Sequence, residues 1–397
     1  MNASKSSSMK EKESSATLNM STNDNHYLDG IQLLADPCVV SSIHQMDLSS
    51  VNTRMSKYLI TFLCWTGLVP QNKDNSYSKK WIVFLLILLL GIVDNLSTLL
   101  VNLDSEQLKK KVAHFLPEIL SLVIWYAARR QRAKLKTMLQ KLQDMPPSKF
   151  EKTLGFLIFF VSSIPWVGPT LFTIQNKPKI VYGFELKGPL GQFLLWIRSH
   201  VHLIMYPTFP CLIALLYCIA CLRCSRSMKS LSQVINRFTP EAFRTSEQLS
   251  ILRYKAKIDD VLDDIQEVFS VPSLFLILAN FSSCCRIFGW NVLEFESDKK
   301  IVKTTFYAVV SFTCLSGTLW MASGVSTELN NMKKIFHKKS HLRLLFVRTP
   351  KETQYKKELM GEPNFVLSGC DIIFYRRSTL LTIMGALLTY TILVIGL

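Results

Sequence analysis

The sequence predicts an all-α membrane protein: seven transmembrane helices, an N-terminus in the cytoplasm, a C-terminus outside, and helical extensions below the membrane on the cytoplasmic side. Three observations carry this expectation. Apolar residues make up 49% of the 397, aromatics 11% and charged residues only 19%, a balance tilted towards the bilayer. The apolar residues gather in seven windows that reach, or nearly reach, the roughly 20 residues a helix needs to cross a hydrocarbon core. Lys and Arg, finally, crowd into alternate loops between those windows.

Residues 1–50 are rich in Ser, Asn and charge. They hold too few apolar residues to offset ordering entropy, which predicts a disordered cytoplasmic tail. No basic stretch followed by an apolar core opens the sequence, so no cleavable signal peptide is expected. Residues 51–80 form a membrane-proximal segment. Its apolar part, YLITFLCWTGLVP at 58–70, is too short to span and is expected to be interfacial or packed. The spans follow at 81–101, 112–128, 153–174, 192–221, 268–289, 301–325 and 378–397. The second is the weakest, being short and carrying His114, Pro117 and Glu118. Residues 81–377 thus make a six-helix bundle with cytoplasmic extensions, and 378–397 is the last helix.

Orientation follows from basic residues, which cytoplasmic loops retain. Loops 129–152, 222–262 and 325–377 hold eight, eight and eleven, against three, four and three in 102–111, 175–198 and 290–303. Lys109, Lys110 and Lys111 are the misfit on the outer side. This parity is the reverse of the one found in G-protein-coupled receptors. The ten cysteines agree, because none lies in an outer loop where a disulfide would form. Glycan on Asn19 or Asn2, both in sequons, would overturn the orientation.

The formal charge of +17 raises the question of nucleic acid. No reading helix, zinc-finger spacing or glycine-rich binding loop accompanies it, so no nucleic acid partner is expected. Basic loops beside anionic lipid are the simpler account, and the run Lys333, Lys334, Lys338, Lys339 and Arg343 is placed against lipid heads. Cys218, Cys221 and Cys224 follow one helix and cannot converge on an ion as a looped CxxC pair does. Packing, with palmitoylation as an additional option, is expected there. No Ser-His-Asp set, Walker loop or His-Glu metal motif appears. We expect no enzyme activity, no catalytic residues, no metal and no cofactor.

Residues 239–269 open with Thr239-Pro240-Glu241, a cap followed by proline, and continue with Leu252, Ile258, Val261, Leu262, Ile265, Val268 and Phe269 at helical spacing. Helices four and five are therefore expected to extend below the membrane. The apolar strip they carry suits either an intersubunit anchor or a surface folded back on its own chain. Within the first span, Asp94 is an intramembrane acid, which marks either a functional group or a buried ion pair. Arg198 and Arg286 are its conceivable partners.

The C-terminal segment NFVLSGCDIIFYRRSTLLTIMGALLTYTILVIGL resembles the C-terminal signature of arthropod gustatory receptors. Matching positions are Phe365, Gly369, Arg376, Gly385, Thr389 and Tyr390; Gly396 and Leu397 stand where the family usually has Gln and Phe. The resemblance extends more weakly over 55–397. It implies a tetrameric, ligand-gated, nonselective cation channel in the plasma membrane, built as a homotetramer or with related receptors, with membrane lipid around it and a small-molecule tastant as its stimulus. On that basis 378–397 is the pore-lining helix. Ile392, Ile395 and Leu397 supply apolar rings, Thr389 and Thr391 hydroxyls, and Tyr390 and Gly396 complete the gate region. With no acid in 378–397, selectivity should be poor. The tastant is expected in the outer half of the first six spans, where polar and aromatic side chains converge. Candidates are Asn95, Trp166, Trp196, His200, His202, Asn280, Ser283 and Tyr307. Each also fits packing, interfacial anchoring or helix–helix hydrogen bonding. The competing readings are a seven-helix receptor or transporter without its own pore, and a pore-defective partner subunit. The first is disfavoured because no internal repeat is found.

Overall fold

The computed structural model describes residues 57–70, 79–101, 105–146, 151–173, 179–181, 184–186, 188–288, 298–346, 350–361, 363 and 365–396. The first fifty residues, expected as a tail, lie outside them. Among the described residues eleven α-helices dominate: α1 Lys57–Trp65, α2 Lys80–Val101, α3 Ser105–Arg130, α4 Arg132–Gln143, α5 Glu151–Thr173, α6 Gly188–Leu203, α7 Phe209–Arg237, α8 Thr245–Arg286, α9 Asp298–Phe346, α10 Pro350–Gly361 and α11 Arg377–Gly396. Two short antiparallel pairs join them, β1 Lys179–Val181 with β2 Phe184–Leu186, and β3 Ser368–Gly369 with β4 Ile373–Phe374.

Among the described residues, five helical stretches are long and apolar enough to cross a membrane: Lys80–Leu100, Thr153–Thr170, Gly188–Arg237, Thr245–Arg286 and Thr304–Leu345. The other two predicted spans fall on α3 and α11, of 26 and 20 residues, and complete the seven-helix architecture. Apolar side chains on the outside of the bundle fit a lipid-facing wall. On α2 these include Leu86, Leu90, Val93 and Leu100, and on α5 Phe156, Phe159, Phe160 and Val167.

α7 is the central helix. From Phe209 to Ile235 most of its side chains are buried, and it packs most extensively against α9, while α3 packs along α8. Cys218, Cys221 and Cys224 are among the buried residues. They are packing residues with no free thiol surface for an acyl chain, which corrects the palmitoylation option.

α6 and α7 make one predicted span, but the chain breaks between them. Residues Ile204–Thr208 form a π segment in which Tyr206 leaves helical geometry, at φ −149° and ψ 126°. Pro207 has no N–H to give the helix ladder, so the sequence MYPTFP ends one helix and starts the next. The break turns Tyr206 into the core.

The segment 58–70 is packed rather than interfacial. Leu59, Leu63, Leu68 and Thr66 are fully buried, and the Trp125 indole on α3 donates to the Thr66 carbonyl at 3.1 Å. Gly67 turns the chain with φ +74°, and a Cβ there would collide with Trp81.

At one end of the bundle α7, α8 and α9 extend beyond the apolar windows and pack with α4 and α10. The strip Ile258, Val261, Leu262, Ile265, Val268 and Phe269 is buried within the chain itself, so the surface is folded back rather than left for a partner. Lys141 bonds Asp264 at 2.7 Å, and Lys134 pairs with Glu267. Thr239 does not cap α8: its hydroxyl accepts from Ala242 N at 3.3 Å and its carbonyl from Phe243 N at 3.1 Å. That local turn buries Phe243 between Phe238 and Phe336, and the helix begins six residues later. The basic run also differs from expectation. Lys339 donates to the Phe238 carbonyl at 2.7 Å and Arg343 to Glu241 at 2.7 Å. Two of its five cations thus bond chain carbonyls, Lys339 at the C-cap of α7 and Arg343 in the turn that follows it, rather than meeting lipid.

Candidate functional site

The eight residues proposed to meet a ligand separate into three groups. The first holds Asn95 and His202. Asp94 on α2 receives Arg198 Nε at 2.8 Å and His202 Nε2 at 2.7 Å, both from α6. The other ring nitrogen of His202 lies 3.1 Å from Glu118 Oε1 on α3, and Asn95 donates to Glu118. Arg198 also reaches the Thr98 hydroxyl at 2.9 Å. Asp94 is therefore an ion-pair member whose partner is Arg198 and not Arg286. The residues lie together because 94, 95 and 98 share one face of α2 and 198 and 202 share one face of α6, at the one-turn spacing of a helix. Gly91 lets α2 approach closely enough, since a Cβ there would overlap Met205. Beside the cluster an open cleft of about 420 Å³ runs between α2 and α6, with Leu90, Val93, Leu194 and Val201 as apolar wall and Asp94, Ser97, Arg198 and His202 as polar wall.

The second group is aromatic. Trp196 stacks on His200 at 5.2 Å, and Trp166 of α5 meets the same ring edge-on at 4.9 Å. His200 Nδ1 lies 2.6 Å from the Pro165 carbonyl, which Pro169 leaves without a helical N–H donor. Trp166 is 65% exposed, on the outer wall and not in a chamber.

The third group is buried. Tyr206 reaches Ser311 at 2.7 Å and Asn280 at 3.4 Å, and Ser311 donates to Ser283 at 3.1 Å. Tyr307 stacks on Tyr206 at 6.4 Å. Arg286, 8% exposed, hydrogen-bonds His114 and sits over the Tyr307 ring at 5.8 Å. Tyr206 and Ser311 were not anticipated. The signal for Tyr206 was the paired prolines around it; Ser311 had none, since a single serine in an apolar span reads as background.

The third group and the first are linked through α3, where His114, bonded to Arg286, and Glu118, bonded to His202, lie one turn apart.

α11 is attached to the bundle by the β3–β4 hairpin. Gln266 of α8 donates to the Ser368 carbonyl and hydroxyl at 3.1 and 2.7 Å and accepts from Ser368 N at 3.0 Å. Cys370 N donates to Ser270 at 2.9 Å, and the Tyr375 hydroxyl meets Ser273 at 2.6 Å. Along α11, Leu387 is buried while Leu388, Thr389, Ile392 and Leu393 face outwards. Thr389 and Thr391 each donate to the carbonyl one turn back, at 2.9 and 2.7 Å, which leaves their oxygen lone pairs unspent. Tyr390 is half-buried. The side chains of Ile395 and Gly396, and all of Leu397, lie outside the described residues.

No family model matches this sequence, and no curated protein matches it. Solved structures do. The insect olfactory receptor OR5 from Machilis hrabei superposes with a TM-score of 0.68 at 16% identity, covering 89% of this chain and 98% of that one. The same receptor in complex with eugenol gives 0.67 at 14% identity, covering 89% and 99%. At that identity the likeness is one of fold, and the fold is that of an insect olfactory receptor over nearly its whole length.

Proposed function

We propose that this chain is a chemosensory receptor of the gustatory type that works as a ligand-gated, nonselective cation channel in the plasma membrane. The observation that carries the proposal is the superposition, over 89% of the chain, on a receptor solved with eugenol bound. The signature leading into α11 supports the gustatory reading over the olfactory one. The N-terminus is cytoplasmic and the extension end faces the cytoplasm, as the distribution of basic residues argues.

A small molecule binds among the helices that carry the first and third groups, against Asn95, His202, Asn280, Ser283 and Tyr307. Hydroxyls, an amide and an imidazole suit a compound bearing hydroxyl or carbonyl groups, with aromatic faces for its apolar surface. Trp166, Trp196 and His200 form an interfacial belt in this reading, which suits rings that are apolar on one side and polar on the other.

Four copies, alone or with related receptors, place their α11 helices around a central path. Ile392 narrows it, and Thr389 and Thr391 offer oxygens to a hydrated ion. Binding shifts the population towards a state in which these helices splay, to the extent that the ligand prefers that state. Expression alone in cells lacking G-protein signalling tests the proposal. Ligand-evoked cation current is expected; a response that needs G proteins, or none in any related-subunit combination, would refute it.

A further inference from the structure

We propose that Asp94, His202 and Glu118 form a proton-binding site, a clasp that joins α2, α3 and α6 only while it holds two protons. The argument is one of hydrogen-bond count. An ionised carboxylate only accepts, and a neutral imidazole has one N–H and one lone pair. Yet both ring nitrogens of His202 face carboxylate oxygens, Nε2 at 2.7 Å from Asp94 and Nδ1 at 3.1 and 3.2 Å from Glu118. With a single proton on the ring, one of these contacts would set a lone pair against an anion inside the membrane. Two protons satisfy both.

The neighbours place the second proton on the ring. Asp94 Oδ2 already receives Arg198 Nε at 2.8 Å, and Glu118 receives the Asn95 amide, donors that favour an anionic acceptor. Asp94, Glu118, Arg198 and doubly protonated His202 then sum to zero charge, which a low-dielectric site favours. Among the described residues, Arg286 from α8 and Tyr307 from α9 also lie within electrostatic reach of Glu118, and His114 sits one turn along α3 from it. Arg286 hydrogen-bonds His114 rather than Glu118. Its field opposes the second proton from beyond hydrogen-bond range, whereas the two carboxylates act in direct contact. The cleft beside Asp94 and His202 gives the site a polar path for proton exchange.

Alkaline exposure removes the second proton, and one of the two carboxylate contacts of His202 then sets a lone pair against an anion. The test is the unfolding equilibrium of the purified full chain in mixed detergent micelles from pH 6 to 10, compared with Glu118→Gln. In that variant the amide donates to the Nδ1 lone pair, and one proton on His202 is enough. Wild type should lose stability with rising pH by up to tenfold in the unfolding constant per pH unit for the extra proton, and Glu118→Gln should lack that slope. Parallel curves in the two proteins overturn the proposal. Should Glu118→Gln fail to fold, nitrogen NMR on histidine-labelled wild type decides. One of the seven histidine rings should carry two N–H groups at pH 8. If none does, the proposal is overturned. Neither measurement needs the chain to conduct ions, so a failed channel reading would leave this test intact.

Discussion

Gly369 sits where the β3 strand presses on α8, and adding one methyl group there tests how firmly α11 is held. An ideal Cβ at this position would lie 3.1 Å from Leu274 Cβ and 3.3 Å from Leu274 Cα, and would overlap the Tyr375 hydroxyl. Leu274 is helix backbone and cannot retreat, so Tyr375 must. That ring is fully buried and meets Tyr217 edge-on at 6.4 Å, and its hydroxyl lies 2.6 Å from Ser273. Displacing it breaks a buried hydrogen bond, worth about 1–3 kcal/mol when the groups are left unpaired. Overpacking adds about 1–3 kcal/mol. Gly369→Ala should therefore destabilise the chain by ~2–6 kcal/mol, and Tyr375→Phe by ~1 kcal/mol. The double variant should be more stable than Gly369→Ala alone, because deleting the hydroxyl makes room for the methyl group. Detergent-titrated unfolding of the four proteins measures this coupling. A Gly369→Ala protein within ~0.5 kcal/mol of wild type, or a double variant no better than the single, would refute the reasoning.

Other outcomes follow from the same contacts. Arg198→Met leaves Asp94 with His202 as its remaining partner and should cost ~1–3 kcal/mol, at or below the lower end for a broken buried pair because His202 stays and Arg198 keeps some exposure; Asp94→Asn in the same chain should recover part of it, as read by thermal melting. Gln266→Leu removes three hydrogen bonds to Ser368 and should lower stability by ~2 kcal/mol, with reduced surface delivery as a second readout. Arg343→Ala frees the Glu241 carbonyl in the turn between α7 and α8 and should cost ~1 kcal/mol, with limited proteolysis between 238 and 244 increasing. Under the channel reading, Ile392→Ala widens an apolar constriction and should raise unstimulated current severalfold; an unchanged resting current would remove Ile392 from the path.

The number and order of the long helices are properties of local hydropathy. A run such as WIVFLLILLLGIV has one stable answer in a bilayer, because backbone groups there must be satisfied within the segment. That is why windows 81–101, 153–174, 268–289 and 301–325 were legible. The buried strip from Ile258 to Phe269 was legible as a pattern too, since period 3.6 does not depend on what it packs against. Its partner was not. Asp94 announced an ion pair by its position alone, but only the crossing of α2 and α6 at Gly91 chose Arg198 over Arg286. The bonds of Lys339 and Arg343 to the carbonyls of Phe238 and Glu241, and the grip of Gln266 on Ser368, all join residues about a hundred positions apart. Spacing along one chain carries no information about which distant face will arrive opposite, so these features came into being only when the helices packed.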